Sequence, residues 1–81
     1  MKAPRDIKGE DLAKRLTRLG YWVERQRGSH LILTTTQQGE HHVAVPAGRL
    51  KTGTLYGILL AIARHFDRPK QEIINCLFKE D

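Results

Sequence analysis

Tyr21-Trp22-Val23-Glu24-Arg25-Gln26-Arg27-Gly28-Ser29-His30-Leu31-Ile32-Leu33-Thr34-Thr35 is the stretch on which the reading of this chain turns. Its first six residues are rich in aromatic and β-branched character and read as a strand over about 21–26. Gly28 ends that strand, and His30 to Thr35 read as a second. Gln37-Gln38-Gly39 supplies a hairpin turn, and His42-Val43-Ala44-Val45 reads as a third strand. Pro46-Ala47-Gly48 then breaks the sheet.

Helical patterns flank this meander. Leu12, Leu16 and Leu19 recur at helical spacing, with Ala13 beside them and Lys14, Arg15 and Arg18 elsewhere on the helix. Glu10 and Asp11 suit a first turn and Gly20 is the natural stop, so a first helix is expected over about 8–19. Thr54 is expected to cap a second helix running from Leu55 to about His65, with Leu55, Ile58, Leu59 and Ile62 as its buried stripe. Asp67 and Pro69 introduce a short last helix carrying Ile73, Ile74, Leu77 and Phe78, which either complete the core or form a dimer contact.

The order α-β-β-β-α-α predicts one α+β domain over residues 1–81. It consists of a three-stranded antiparallel sheet with helices packed on one face and the other face bare. A chain of 81 residues buries only about 60–65% of its unfolded surface, so a site must lie on that sheet or in a shallow groove. Fourteen Lys+Arg against nine Asp+Glu give a net charge of +5, which favours a polyanionic partner, either nucleic acid or an acidic protein. The single cysteine, Cys76, excludes an internal disulfide and a Cys-rich zinc site. Lying in an apolar run, it reads as a buried structural thiol. Nothing in the chain is apolar enough over enough length to span a bilayer. Met1-Lys2-Ala3-Pro4-Arg5-Asp6 carries charge with no apolar stretch behind it, unlike a signal peptide, so the expected location is the cytoplasm.

Alternation sets the expected register. If Leu31 and Leu33 face the helices, Val45 and Val43 share that face, which puts His30 on the bare face near Pro46 and His42 on it near Thr34. Four residues at about 3.3 Å each separate the two imidazoles by about 13 Å, too far for shared chemistry or a shared metal. His41 points the other way. His30 is thus a solitary imidazole, and an unperturbed imidazole, with a pKa of about 6.5, can exchange a proton near neutral pH. On RNA it can take the proton from an attacking 2′-hydroxyl or protonate the leaving 5′-oxygen. Arg25 and Arg27, two apart on one strand, share a face and can stabilise phosphate charge.

Each of these signals has a second reading. Gly28 allows a sharp turn or a close approach to phosphate, and Ser29 can donate to a phosphate oxygen, but an ordinary hairpin turn needs the same residues. His30 also reads as a solvent-facing strand residue. Arg49 and Lys51 precede Gly53-Thr54, where amides at a helix start can receive a phosphate; the plain alternative is a solvated loop before a capped helix. Lys14, Arg15 and Arg18 read as a solvated helix face. Trp22, the lone tryptophan of a small domain, reads as core, with a base-stacking platform as the rarer role.

From Gly20-Tyr21-Trp22-Val23 through Arg25-Gln26-Arg27-Gly28-Ser29-His30 the chain resembles HicA-family toxins, small ribonucleases of bacterial toxin–antitoxin pairs. The resemblance runs from about Asp11 to Leu59 and takes in Val45-Pro46 and Gly53-Thr54-Leu55 with Ile58-Leu59. Its most specific match is Gly28-Ser29-His30, eight residues after Gly20. It implies a double-stranded-RNA-binding-domain-like fold and metal-independent cleavage of mRNA without a cofactor. It further implies that His30 is catalytic and that a HicB-like antitoxin covers the active face; the free protein is expected to be a monomer or weak dimer. Arg25, Arg27, Gly28, Ser29, Arg49, Lys51 and Thr54 are then the expected RNA-binding residues. Many members of that family carry a histidine shortly after the proline closing strand three; here the run is Pro46-Ala47-Gly48-Arg49, leaving Arg49 to replace it. A noncatalytic RNA-binding module using the same basic face is the alternative. A protein-interaction domain with an acidic partner is a third reading.

Overall fold

The computed structural model describes residues 3–79. Met1 and Lys2, part of the segment read for a leader, and Glu80 and Asp81 lie outside the described residues. The elements in order are α1 (Gly9–Leu16), continued by a 3-10 turn (Thr17–Leu19), then β1 (Trp22–Arg27), β2 (His30–Thr35), β3 (His41–Pro46), α2 (Thr52–Phe66) and α3 (Lys70–Phe78). The strands form one antiparallel sheet in the order β1-β2-β3. The helices cover one of its faces, the arrangement of a double-stranded-RNA-binding-domain-like α+β fold.

The register is the one that alternation predicts. Leu31 pairs with Val45, Leu33 with Val43, His30 with Pro46 and Thr34 with His42. Leu33, Val43 and Val45 are buried with Leu12 and Leu16 of α1 and with Leu55, Leu59 and Ile62 of α2. Ile58 is only partly buried at the edge of that stripe. Gly9 makes the close packing of α1 possible, because a Cβ there would lie 1.6 Å from the Pro46 carbonyl oxygen. The first-turn amides of α1 then reach the loop after β3, with Gly9 N donating to Gly48 O at 2.8 Å and Glu10 N to Ala47 O at 3.2 Å.

Four expectations are corrected. First, α1 is shorter than predicted and ends in a 3-10 turn closed by Gly20 in the left-handed region (φ 79°). Second, α2 starts at Thr52 with Lys51 at the cap position, so Thr54 lies inside the first turn and caps nothing. Third, Cys76 is exposed, because Ile73, Ile74, Leu77 and Phe78 take the inward face of α3 and leave Cys76 outside. Those four side chains complete the core. Fourth, the Lys14-Arg15-Arg18 face is not simply solvated. Arg15 Nη1 donates to Leu77 O at 3.0 Å, and Arg18 Nη1 donates to the carbonyls of Cys76, Leu77 and Lys79, each at 3.1 Å. Two cations thereby satisfy carbonyls that the end of α3 leaves without helical partners.

Candidate active site

The uncovered face of the sheet is organised as three rows across the strands. Arg27, His30 and Pro46 form the first, Arg25, Ile32 and Ala44 the second, and Trp22, Thr34 and His42 the third. Strict alternation from Trp22 would have placed Glu24 opposite Ile32 and Gln26 opposite His30. A bulge between Val23 and Arg25 slips β1 by one residue, and Arg25 and Arg27 take those places instead. That slip brings both guanidinium groups to the face that carries His30.

His30 sits at the first position of β2, exposed, directly opposite Arg27. The two-residue connection Gly28-Ser29 delivers it there. Gly28 has φ 56° while Ser29 stays on the negative side, the pattern of a II′ hairpin turn, which needs glycine at its first position. Nothing lies within 4 Å of where a Gly28 Cβ would project, so the requirement is conformational and the space above the turn is open. Gln26 Nε2 donates to Gly28 O at 3.0 Å, and Ala47 N donates to Ser29 O at 2.7 Å. The turn is therefore held from both neighbouring strands. The arrangement offers an exposed imidazole on a braced turn, two cations on its own face and room for a backbone to approach.

The structure brings Arg25, Arg27, Gly28, Ser29 and His30 together but places the second set elsewhere. Arg49 is ion-paired to Asp6 and forms a bridge with Lys8. Arg49 and Lys51 line a shallow groove of about 470 Å³ with Arg5 and Asp6, a lining that includes none of Arg25, Arg27 or His30. Thr54 is exposed on α2. The Asp6–Arg49 pair lies at the surface, with both side chains about three-quarters exposed.

Two features escaped the sequence reading. Trp22 is 45% exposed instead of buried, since it lies on the bare face in the row of Thr34 and His42. At the far end of the sheet, His41 and His65 stack with centroids 4.4 Å apart and planes 11° from parallel. The Gln37 carbonyl can only accept, so His65 Nε2 carries the hydrogen it donates over 2.9 Å. His41 Nδ1 lies 2.7 Å from the Tyr21 hydroxyl. Burial, with His65 and then His42 adding to it, lowers the His41 pKa, while burial pushes Tyr21 up to about 12. Both shifts favour neutral partners, with Tyr21 donating to a neutral His41. No spacing rule joins residues 21, 41 and 65, although His65 could have been flagged by its place at the end of α2.

No match is found among curated proteins or solved structures. A family model described as HicA toxin of bacterial toxin-antitoxin matches residues 9–63, from the start of α1 almost to the end of α2. That span contains α1, the whole sheet and all but the last turn of α2, and the chain belongs to the HicA toxin family.

Proposed function

We propose that this chain is an endoribonuclease that cleaves mRNA without a metal, with His30 as its proton-transfer group. The observation that carries this reading is the presence of an exposed His30 on a braced turn, facing the same way as Arg25 and Arg27, in a member of a toxin family. In the reaction a 2′-oxygen attacks the adjacent phosphorus, the bond to the 5′-oxygen breaks, and a 2′,3′-cyclic phosphate and a free 5′-hydroxyl result. His30 removes the 2′-hydroxyl proton as a base or protonates the 5′-oxygen as an acid, and water handles the other proton. Arg25 and Arg27 hold the phosphate and stabilise the negative charge that grows on its oxygens. Ser29 adds one hydrogen bond to a phosphate oxygen. A single proton-transfer group makes this a slow nuclease, which suffices for a toxin whose target is cellular mRNA.

A HicB-like antitoxin would neutralise the chain by covering the bare sheet face, where the three rows lie open. The test of the catalytic reading is cleavage of a long single-stranded RNA in EDTA by the purified protein, with His30→Ala alongside. Cleavage by the parent alone supports the reading. Cleavage by both overturns the role of His30. Binding without cleavage by either leaves a noncatalytic RNA-binding module in its place.

A further inference from the structure

We infer that the row Trp22-Thr34-His42 is a nucleobase-binding subsite for single-stranded RNA, placed two rows from the phosphate end of the same face. The inference rests on the ribonuclease reading and adds to it a second contact point on the substrate. Two steps of two residues along β2 separate His30 from Thr34, about 13 Å, so a strand held at its phosphate by Arg25 and Arg27 reaches the third row at a neighbouring nucleotide.

The chemistry changes across that distance. The first two rows offer cations, Arg27 in the first and Arg25, beside Ile32 and Ala44, in the middle one. The third offers an aromatic ring that is 45% exposed, on which no other ring or cation stacks among the described residues. An exposed tryptophan on a sheet is costly to hydrate and suited to the face of a base. Beside it stands Glu24, whose Oε1 accepts a hydrogen bond from Thr34 Oγ1 at 3.2 Å. A carboxylate here repels a phosphate and accepts from a base amino group, so this row fits a base and not the backbone.

The row is also fixed in place. Thr34 Oγ1 donates to Glu24 Oε1 and stands 2.7 Å from His42 Nδ1. That locks the imidazole, with Nε2 turned toward Glu40 at 3.5 Å. Thr34, only 2% exposed, forms the floor between the two rings. The bulge between Val23 and Arg25 is what sets the cations and the indole on one surface, so the same irregularity serves both ends.

Trp22 is the only tryptophan in the chain, which makes its emission a direct reporter. The experiment titrates the full-length His30→Ala protein with oligoadenylate about eight nucleotides long, within the span of one small stacking surface. Tryptophan emission and the anisotropy of a labelled oligomer are followed together. Quenching that saturates with the anisotropy, and that tripolyphosphate does not reproduce, is the expected result. Trp22→Ala should weaken oligomer binding about ten-fold or more, while Trp22→Phe keeps most of the affinity. Oligomer bound with unchanged emission, equal quenching by tripolyphosphate, or equal affinity in Trp22→Ala overturns the subsite and leaves the nuclease reading standing. Absence of RNA binding altogether overturns both.

Discussion

The two ends of the sheet use the same side chain in opposite ways. At one end His30 is exposed on a glycine turn beside two cations of its own face. At the other, His41 is half-buried, stacked on His65 and bonded to a buried tyrosine. Burial and like-charge neighbours hold His41 neutral, and its nitrogen is spent on structure. A histidine used for proton transfer needs the reverse: access to substrate and freedom to gain and lose a proton. The comparison therefore separates the histidines by surroundings, where residue type alone cannot.

Removing each imidazole tests the contrast directly. His30→Ala should lower RNA cleavage by about 10²–10⁴-fold, the usual worth of a proton-transfer group, and leave Tm unchanged because the side chain is exposed. A fall in Tm with retained cleavage would break the comparison at its catalytic end. His41→Ala should do the converse. It strands the hydroxyl of Tyr21, a residue only 2% exposed, and should cost about 1–3 kcal/mol in denaturant unfolding while leaving cleavage in place. Tyr21→Phe removes the stranded group, so adding it to His41→Ala should recover part of the loss.

A smaller effect appears in the pH dependence of stability. His41 in the unfolded chain titrates at 6.5 and lower in the folded protein, so between those values the unfolded state binds more protons. Its contribution is present above 6.5 and is lost as pH falls through the folded value. Tyr21 gives the opposite limb: its pKa rises from 10.0 to about 12, so its contribution is present below 10.0 and is lost as pH climbs toward 12. His41→Gln should flatten the acid limb of urea midpoints measured across pH, and Tyr21→Phe the alkaline one. An acid limb that survives His41→Gln would place its source elsewhere.

Much of this layout is legible in the sequence, and the reason is period. Leu31, Leu33, Val43 and Val45 alternate strictly, and one buried face leaves a single register open to them. The same logic fails at β1, whose six residues are all exposed and carry no apolar alternation. There the bulge reverses the parity: it moves Arg25 and Arg27 onto the face of His30 and leaves Trp22 there as well. Reading Trp22 as core followed from residue type, and the bare face overrides it. The expectation of a buried Cys76 fails because an apolar run on a helix still has an outer side. The Arg15 and Arg18 contacts with α3, and the stack of His41 on His65, join residues distant in sequence with no local pattern to announce them.

The smallest predicted effect concerns Arg49, which stands between the two behaviours. It lies just past the strand end that pairs with His30, as an RNA contact would, yet it is held in an ion pair by Asp6, as a structural group would be. Both side chains are about three-quarters exposed, so the pair contributes little to stability and competes weakly with an outside phosphate. If Arg49 contacts RNA, Asp6 acts as an internal substitute for a phosphate oxygen. Asp6→Asn then frees the guanidinium and should tighten oligoribonucleotide binding less than about five-fold, in line with a surface ion pair. Removing one negative charge near the interface would itself tighten binding, so the discriminating measurement is the double variant. In Asp6→Asn with Arg49→Ala the gain should vanish if the guanidinium makes the contact, and should persist if only the field near the groove has changed. Persistence would assign Arg49 to the structural class of His41 and confine the RNA contacts to the sheet.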